Sequence, residues 1–195
     1  LPEDEKTYSN GALGNDSSLN GTDLTSGGVD LIPRKVLFGN PEKTRVLISS
    51  DGKWISYMAP LNDVLNVWVA PTDNLSFARP VTNDTGRGIH YFTVAYTNRH
   101  VLYTQDTDGD ENWKVYCVDI LTGERKNLTP LHGVNAQVLS VAYTFPQEIL
   151  VGLNDRDPEH HDLYRINITT GDRRLIMKNE NYSYIGGDND YNPRL

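Results

Sequence analysis

From Ile32 onward, apolar residues fall into runs of strand length separated by turn residues. In one stretch the runs are Phe92–Tyr96, Val101–Gln105, Val115–Ile120 and Lys126–Thr129. They are rich in Val, Ile, Tyr and Trp and alternate only loosely, which suits sheets that pack on both faces. Turn chemistry punctuates them: Ser50-Asp51-Gly52-Lys53, Thr122-Gly123 and Thr170-Gly171, where Gly takes a positive φ without a Cβ clash. No window of ten or more residues carries a helical stripe free of Gly and Pro. The pattern predicts an all-β chain.

The pattern also repeats. Asn66-Val67-Trp68-Val69-Ala70, Lys114-Val115-Tyr116-Cys117-Val118 and Asp162-Leu163-Tyr164-Arg165-Ile166 share one design, and Trp68, Tyr116 and Tyr164 are 48 residues apart, twice. Downstream, Val81, Leu128 and Leu175 are 47 apart, twice. Upstream, Trp54–Tyr57, Val101–Thr104 and Ile149–Gly152 follow at similar steps. A period of this length built from four short strands is that of β-propeller blades. The blades are expected at about 44–83, 89–130 and 137–178, with a fourth beginning near 182, in a domain covering 32–195. The first strand of each blade lines a central channel, here Val46–Ile48, Phe92–Tyr96 and Val138–Tyr143. Residues 1–31 hold Gly, Asn, Asp, Ser and Thr with only scattered apolar positions, and read as a flexible leader. A closed four-blade ring would have to build a whole blade from Ile32–Gly39 and the last fifteen residues. That is thin material, so a partial ring cut from a larger one is the expectation.

Composition narrows the function. The 195 residues carry 18 Lys plus Arg against 26 Asp plus Glu, a net charge of −8, which disfavours a nucleic-acid partner. One Cys excludes an internal disulfide framework, and no Cys/His spacing suggests zinc. The longest uncharged stretch, Asn127–Gln147, contains Pro, Gly, Asn, Ser and Thr and is no membrane span. Asn-X-Ser/Thr sequons occur at Asn15, Asn20, Asn74, Asn83, Asn127, Asn167 and Asn181. They favour a secreted or periplasmic chain only slightly over a cytoplasmic one, because Asn and Thr crowd into turns for local reasons. The first residue is Leu, with no apolar leader after it, so a signal peptide is absent or already removed.

Two loops invite a chemical reading. Asp106-Thr107-Asp108-Gly109-Asp110-Glu111-Asn112-Trp113 looks like a calcium loop, yet the sixth and twelfth places hold Glu111 and Cys117 where an EF-hand needs Gly and Glu. It is expected to be a connection between strands two and three, with carboxylates accepting backbone N–H bonds and Gly109 making the turn. Asn154–Asp162 holds the same place one repeat later, and its His160-His161 pair points to opposite faces of an extended strand. There a turn at Pro158, with Arg156 paired to a carboxylate, accounts for the composition. There is no Gly-X-Ser-X-Gly elbow, Gly186-Gly187 is followed by Asp188, and Cys117 sits mid-strand as a buried thiol. No catalytic residue, metal ligand or cofactor site is therefore assigned, and substrate-binding residues stay open.

Phe38-Gly39-Asn40-Pro41, Ser50–Lys53, Asp108–Trp113, Asn154–Pro158 and His161–Arg165 with Thr170-Gly171 together resemble the N-terminal propeller of prolyl oligopeptidase family serine peptidases. The likeness is to the dipeptidyl and acylaminoacyl peptidase branch and covers about Ile32–Leu195. It implies a two-domain enzyme in which the propeller sits over a C-terminal α/β-hydrolase domain with a Ser, Asp and His triad. The propeller, non-catalytic itself, would restrict access to peptides. No triad position has a counterpart here, and the hydrolase domain and remaining blades are missing. Ser50 stands where relatives often have Pro before the Asp-Gly turn, which costs a little turn rigidity. The alternative is a TolB-like propeller that binds a protein or ligand and has no hydrolase attached.

Overall fold

The structure is a computed structural model that describes residues 31–195. Nearly all of the expected leader, with Asn15 and Asn20, lies outside the described residues. The chain divides into two units between Gly39 and Asn40. In the first, the described part holds helix α1, Arg34–Phe38, started after Pro33 and closed by Gly39 N–H on Lys35 O at 2.9 Å. Ile32–Gly39 thus holds a helical turn, not a strand.

The second unit is a series of antiparallel meanders. Strands β1 (Thr44–Ile48), β2 (Trp54–Leu61), β3 (Val64–Pro71) and β4 (Arg79–Pro80) form one four-stranded sheet in sequence order. Strands β5 (Tyr91–Val94), β6 (His100–Gln105), β7 (Lys114–Asp119) and β8 (Arg125–Asn127) form the second. Strands β9 (Ala136–Val141), β10 (Glu148–Asp157), β11 (His160–Asn167) and β12 (Arg173–Met177) form the third. A two-stranded sheet, β13 (Gly186–Gly187) with β14 (Pro193–Arg194), follows against β9. These are three propeller blades and the opening of a fourth.

The aromatic markers are register equivalents. Trp68 pairs with Tyr57 and Pro80, Tyr116 with Tyr103 and Asn127, and Tyr164 with Val151 and Leu175. Each third strand sends alternate residues to opposite faces, as the two-residue pleat requires. Val67 and Val69 pack toward the second blade, where Tyr116 and Val118 meet them with Phe92, Val101 and Tyr103. Val115 and Cys117 pack toward the third blade, meeting Tyr164, Ile166, Ile149, Val151 and Leu153. Leu163 and Leu150 then pack on Ile185 and Tyr191. Both faces of a blade are buried, which is why the strands alternate so loosely.

Small polar groups close the ends of the sheets. Val67 N–H donates to Thr82 Oγ1 (2.8 Å) and Val115 N–H to Thr129 Oγ1 (2.9 Å) at matching positions. The Asn side chains of three sequons serve as turn acceptors: Asn74 for Ser76 N–H, Asn127 for Thr129 N–H, Asn167 for Thr169 and Thr170 N–H. Turn chemistry therefore accounts for Asn at these three positions.

Candidate functional site

In an antiparallel meander, successive connections alternate between the two ends of the sheet. One end carries the turns after first and third strands, such as 49–53, 95–99, 120–124 and 168–172. The other carries the blade-to-blade connections 81–90, 128–135 and 178–185 and the long second-to-third loop 106–113. The longer loops, which are free to vary without disturbing the sheet, mark this second end as the place to look for a site.

At that end, Asp106–Trp113 is built as a self-contained turn. Asp110 Oδ1 accepts from Thr107 N–H (3.2 Å) and Asn112 N–H (3.0 Å), and its other oxygen from the Asn112 amide (3.1 Å). These bonds, the Asn112 side chain foremost, hold the Asp110 carboxyl below the usual carboxylate range. Gly109 sits at φ +85, and a Cβ there would stand 3.0 Å from an Arg87 terminal nitrogen. That guanidinium binds Asp106 at 2.7 Å, tying the loop to the preceding connection. Asp84 anchors the same connection: it accepts from the Gln105 amide at 2.7 Å and from Gly88 N–H. Gln105 in turn accepts from Arg125, which lies over the Tyr116 ring with its guanidinium carbon 4.2 Å from the centroid. A cleft of about 340 Å³ opens here, but these charged side chains already answer one another.

In the third blade the structure departs from the expected loop. β10 and β11 run on to Asp157 and His160, leaving only Pro158-Glu159 as the turn. A bulge between Leu153 and Asp157 absorbs the extra residues. Within this bulge Arg156 grips both oxygens of buried Asp162 at 2.7 Å and also donates to Asn179 O at 2.7 Å. Asp162 further accepts Asn179 N–H at 2.7 Å, and Arg156 is the main reason its carboxyl is held below the usual range. The expected Arg156–carboxylate pair is present. His160 and His161 diverge, the first 3.4 Å from Asp157 and the second 3.3 Å from Asn135 Oδ1. Among the described residues no three His, Cys, Asp or Glu side chains group as metal ligands, and no helix is long and apolar enough to cross a membrane.

A second cleft, of about 380 Å³, lies between the second and third blades at this end. Tyr91, Trp113, His90 and Val138 line it, with Asn135 and Gln137. His90 stands edge-on to the Trp113 indole, ring centroids 5.7 Å apart. Ala136 N–H donates to Trp113 O (2.8 Å), and the Asn135 amide donates to Glu111 O (2.8 Å). That bond fixes the Asn135 amide so that its oxygen faces His161 Nε2, which therefore carries the proton; burial favours a neutral His161. Arg45 reaches across from β1, donating from Nε to Phe92 O at 2.9 Å, its guanidinium carbon 4.4 Å from the Tyr91 ring centroid.

The inner-strand face is apolar and open. Val46 and Ile48 project from β1, and Tyr96 and Tyr143 each leave an inner strand two residues beyond its last paired position, Val94 and Val141. Their rings meet edge-on with centroids 6.4 Å apart, and Tyr143 is 66% exposed. Ser50 gains a partner at the tight-turn end: its hydroxyl (2.7 Å) and Asp51 N–H (3.1 Å) both donate to Asn98 Oδ1 of the next blade. Cys117 is buried, and burial pushes its thiol up to about 12. Sequence reasoning missed Arg45, His90 and Tyr91. A short apolar run preceded by His and a lone Arg in a strand carry no motif.

The sequence is 48% identical over 153 residues to dipeptidyl aminopeptidase BIII of Pseudoxanthomonas mexicana, matching 78% of this chain and 22% of that protein. It is 33% identical over 175 residues to dipeptidyl peptidase family member 6 of Caenorhabditis elegans, matching 86% of this chain and 23% of that protein. The chain therefore spans under a quarter of the length of these curated relatives. Among solved structures, TolB of Acinetobacter baumannii superimposes with a TM-score of 0.55 at 14% identity, covering 76% of this chain and 36% of TolB. The β-propeller domain of the trilobed protease of Pyrococcus furiosus gives a TM-score of 0.52 at 18% identity, covering 70% of this chain and 43% of that one. At such identities the two structures speak to the fold alone, and the fold is a β-propeller. No protein-family model matches the chain.

Proposed function

We propose, from the premise that this chain belongs to the prolyl oligopeptidase family of peptidases as a stretch of its propeller domain, that it admits peptides to a separate catalytic domain and performs no bond cleavage itself. The relevant activity is the removal of dipeptides, in keeping with the relatives' names. The catalytic machinery belongs to the parts of the longer protein that this chain does not match. The observation that carries the gating role is the pair Tyr96 and Tyr143, which leave consecutive inner strands at the same step and touch. Repeated around a ring, bulky rings at this level narrow the channel, and width alone then discriminates flexible peptides from folded chains. A steric filter needs no reactive group, in keeping with a sequence that has no Gly-X-Ser-X-Gly elbow.

The test uses the full-length protein with Tyr96→Ala and Tyr143→Ala combined. Cleavage of long peptides should rise several-fold relative to cleavage of short ones, with kcat/KM for the shortest unchanged. An unchanged length profile would remove the gating role. The TolB-like binding module draws on likeness of fold alone; an open reading frame that contains no hydrolase domain would favour it.

A further inference from the structure

We infer that the cleft walled by Tyr91, Trp113, His90 and Val138 is a recognition subsite for a bulky, uncharged peptide side chain, and that Arg45 beside it binds a carboxylate on the same peptide. The inference rests on the peptide-handling role proposed above and names what that role would recognise.

Two independent observations meet at Tyr91. The first is the cleft. Its volume of about 380 Å³ falls in the range of about 300–1,000 Å³ typical of ligand pockets. No Asp, Glu, Lys or Arg side chain contributes to its lining, whereas the neighbouring cleft is lined by Asp84, Arg87, Asp106 and Arg125. Its aromatic walls offer an aromatic or large aliphatic group both apolar area and edge-to-face contact. Exposed Gln137 adds an amide able to give and accept a hydrogen bond at the rim. The segments that carry Trp113 and Asn135 are tied together: Ala136 N–H donates to Trp113 O, Asn135 N–H to Asn154 Oδ1 and the Asn135 amide to Glu111 O.

The second observation is the backbone of Arg45. It has φ +50, a left-handed conformation that a non-glycine residue adopts only under strain. It lies in a bulge between Thr44 and Leu47 where β1 slips against β2. The consequence is to carry the guanidinium across to the next blade and lay it over Tyr91. Among the described residues its Nε alone is hydrogen-bonded, to Phe92 O, and the forked terminal nitrogens suit a carboxylate. A strained cation placed beside an aromatic cleft matches a peptide in which a bulky residue stands next to an acidic group.

The experiment is calorimetric titration of the full-length protein with three probes that offer no bond for release of a dipeptide: Gly-Phe, Gly-phenylalaninol (an alcohol in place of the carboxylate) and Gly-Ala. Gly-Phe should bind at least fivefold more tightly than either of the others. Trp113→Ala should abolish the Phe-over-Ala preference, Trp113→Phe should keep most of it, and Arg45→Gln should abolish only the acid-over-alcohol preference. Equal binding of all three probes, or preferences that survive Trp113→Ala and Arg45→Gln, would overturn the inference. Binding is read without turnover, so the two proposals fail separately. A protein that shows these preferences yet cleaves no peptide keeps the subsite and loses the peptidase reading; one that cleaves peptides without these preferences does the reverse.

Discussion

The hydroxyl of Tyr103 is fully buried without a hydrogen-bond partner among the described residues, while its ring stacks on Tyr116 with centroids 5.3 Å apart. A buried, unsatisfied hydroxyl has lost its water for nothing in return. Tyr103→Phe should accordingly be neutral or raise stability by up to about 1 kcal/mol, read from urea denaturation. A loss above that would reveal a partner for the hydroxyl. Asp162 behaves oppositely, because Arg156 and Asn179 N–H satisfy its carboxylate. Its carboxyl is held below the unfolded value, so the folded form binds fewer protons than the unfolded chain near that pH. Its stabilisation is complete above about pH 4 and is lost as pH falls through the lower folded value. In denaturation curves taken from pH 7 to pH 2.5, Asp162→Asn should be the less stable form at neutral pH, by about 1–3 kcal/mol. The two proteins should converge in acid; a constant gap would mean that charge is not what Asp162 contributes.

At the level of elements, the repeat tolerates different solutions to one problem. The first residue of the third-strand motif is Asn66, Lys114 and Asp162 in turn. Asn66 Oδ1 accepts from the Thr82 hydroxyl and Asp84 N–H, and Asp162 from the Arg156 guanidinium and Asn179 N–H, so both close the gap between a strand and the connection leaving the blade. The connections are tighter than their length suggests. Gly88 has φ +84, and a Cβ there would approach Leu65 O to 3.1 Å and Leu65 N to 3.2 Å. Both are backbone atoms pinned by Ile89 N–H on Leu65 O at 2.8 Å. Gly88→Ala should cost about 1–3 kcal/mol in a thermal or urea melt. A cost near zero would mean that the connection shifts freely and that Asp84 and Arg87 are not held in place.

Across the whole molecule, each core is shared between neighbours. Leu153 is fully buried in a cluster that also takes Leu102, Val115 and Cys117 from the preceding blade. Leu153→Ala should cost about 2–5 kcal/mol. Because blades in such arrays are stabilised through their interfaces, hydrogen exchange should accelerate in β6 and β7 as well as in β10 and β11. Acceleration confined to β10 and β11 would mean that the blades open independently. The same stacking makes the candidate site, since Arg45, Tyr91, Trp113 and Gln137 come from three different blades.

The all-β class, the four-strand unit and its spacing were legible in the residues, because strand, turn and register are decided over a few neighbours. Trp68, Tyr116 and Tyr164 sit opposite equivalent partners, and the Asp106–Trp113 loop closes on its own side chains as its composition implies. The extension of β10 and β11 was not legible, since Arg156 and Asp162 meet only once the strands pair and the bulge places them together. Nor was the cleft beside Arg45. The sequence by itself determined the blade, whose interactions are short in range. Tertiary structure alone decided which residues of different blades face one another, because stacking joins positions about 47 apart that share no local pattern.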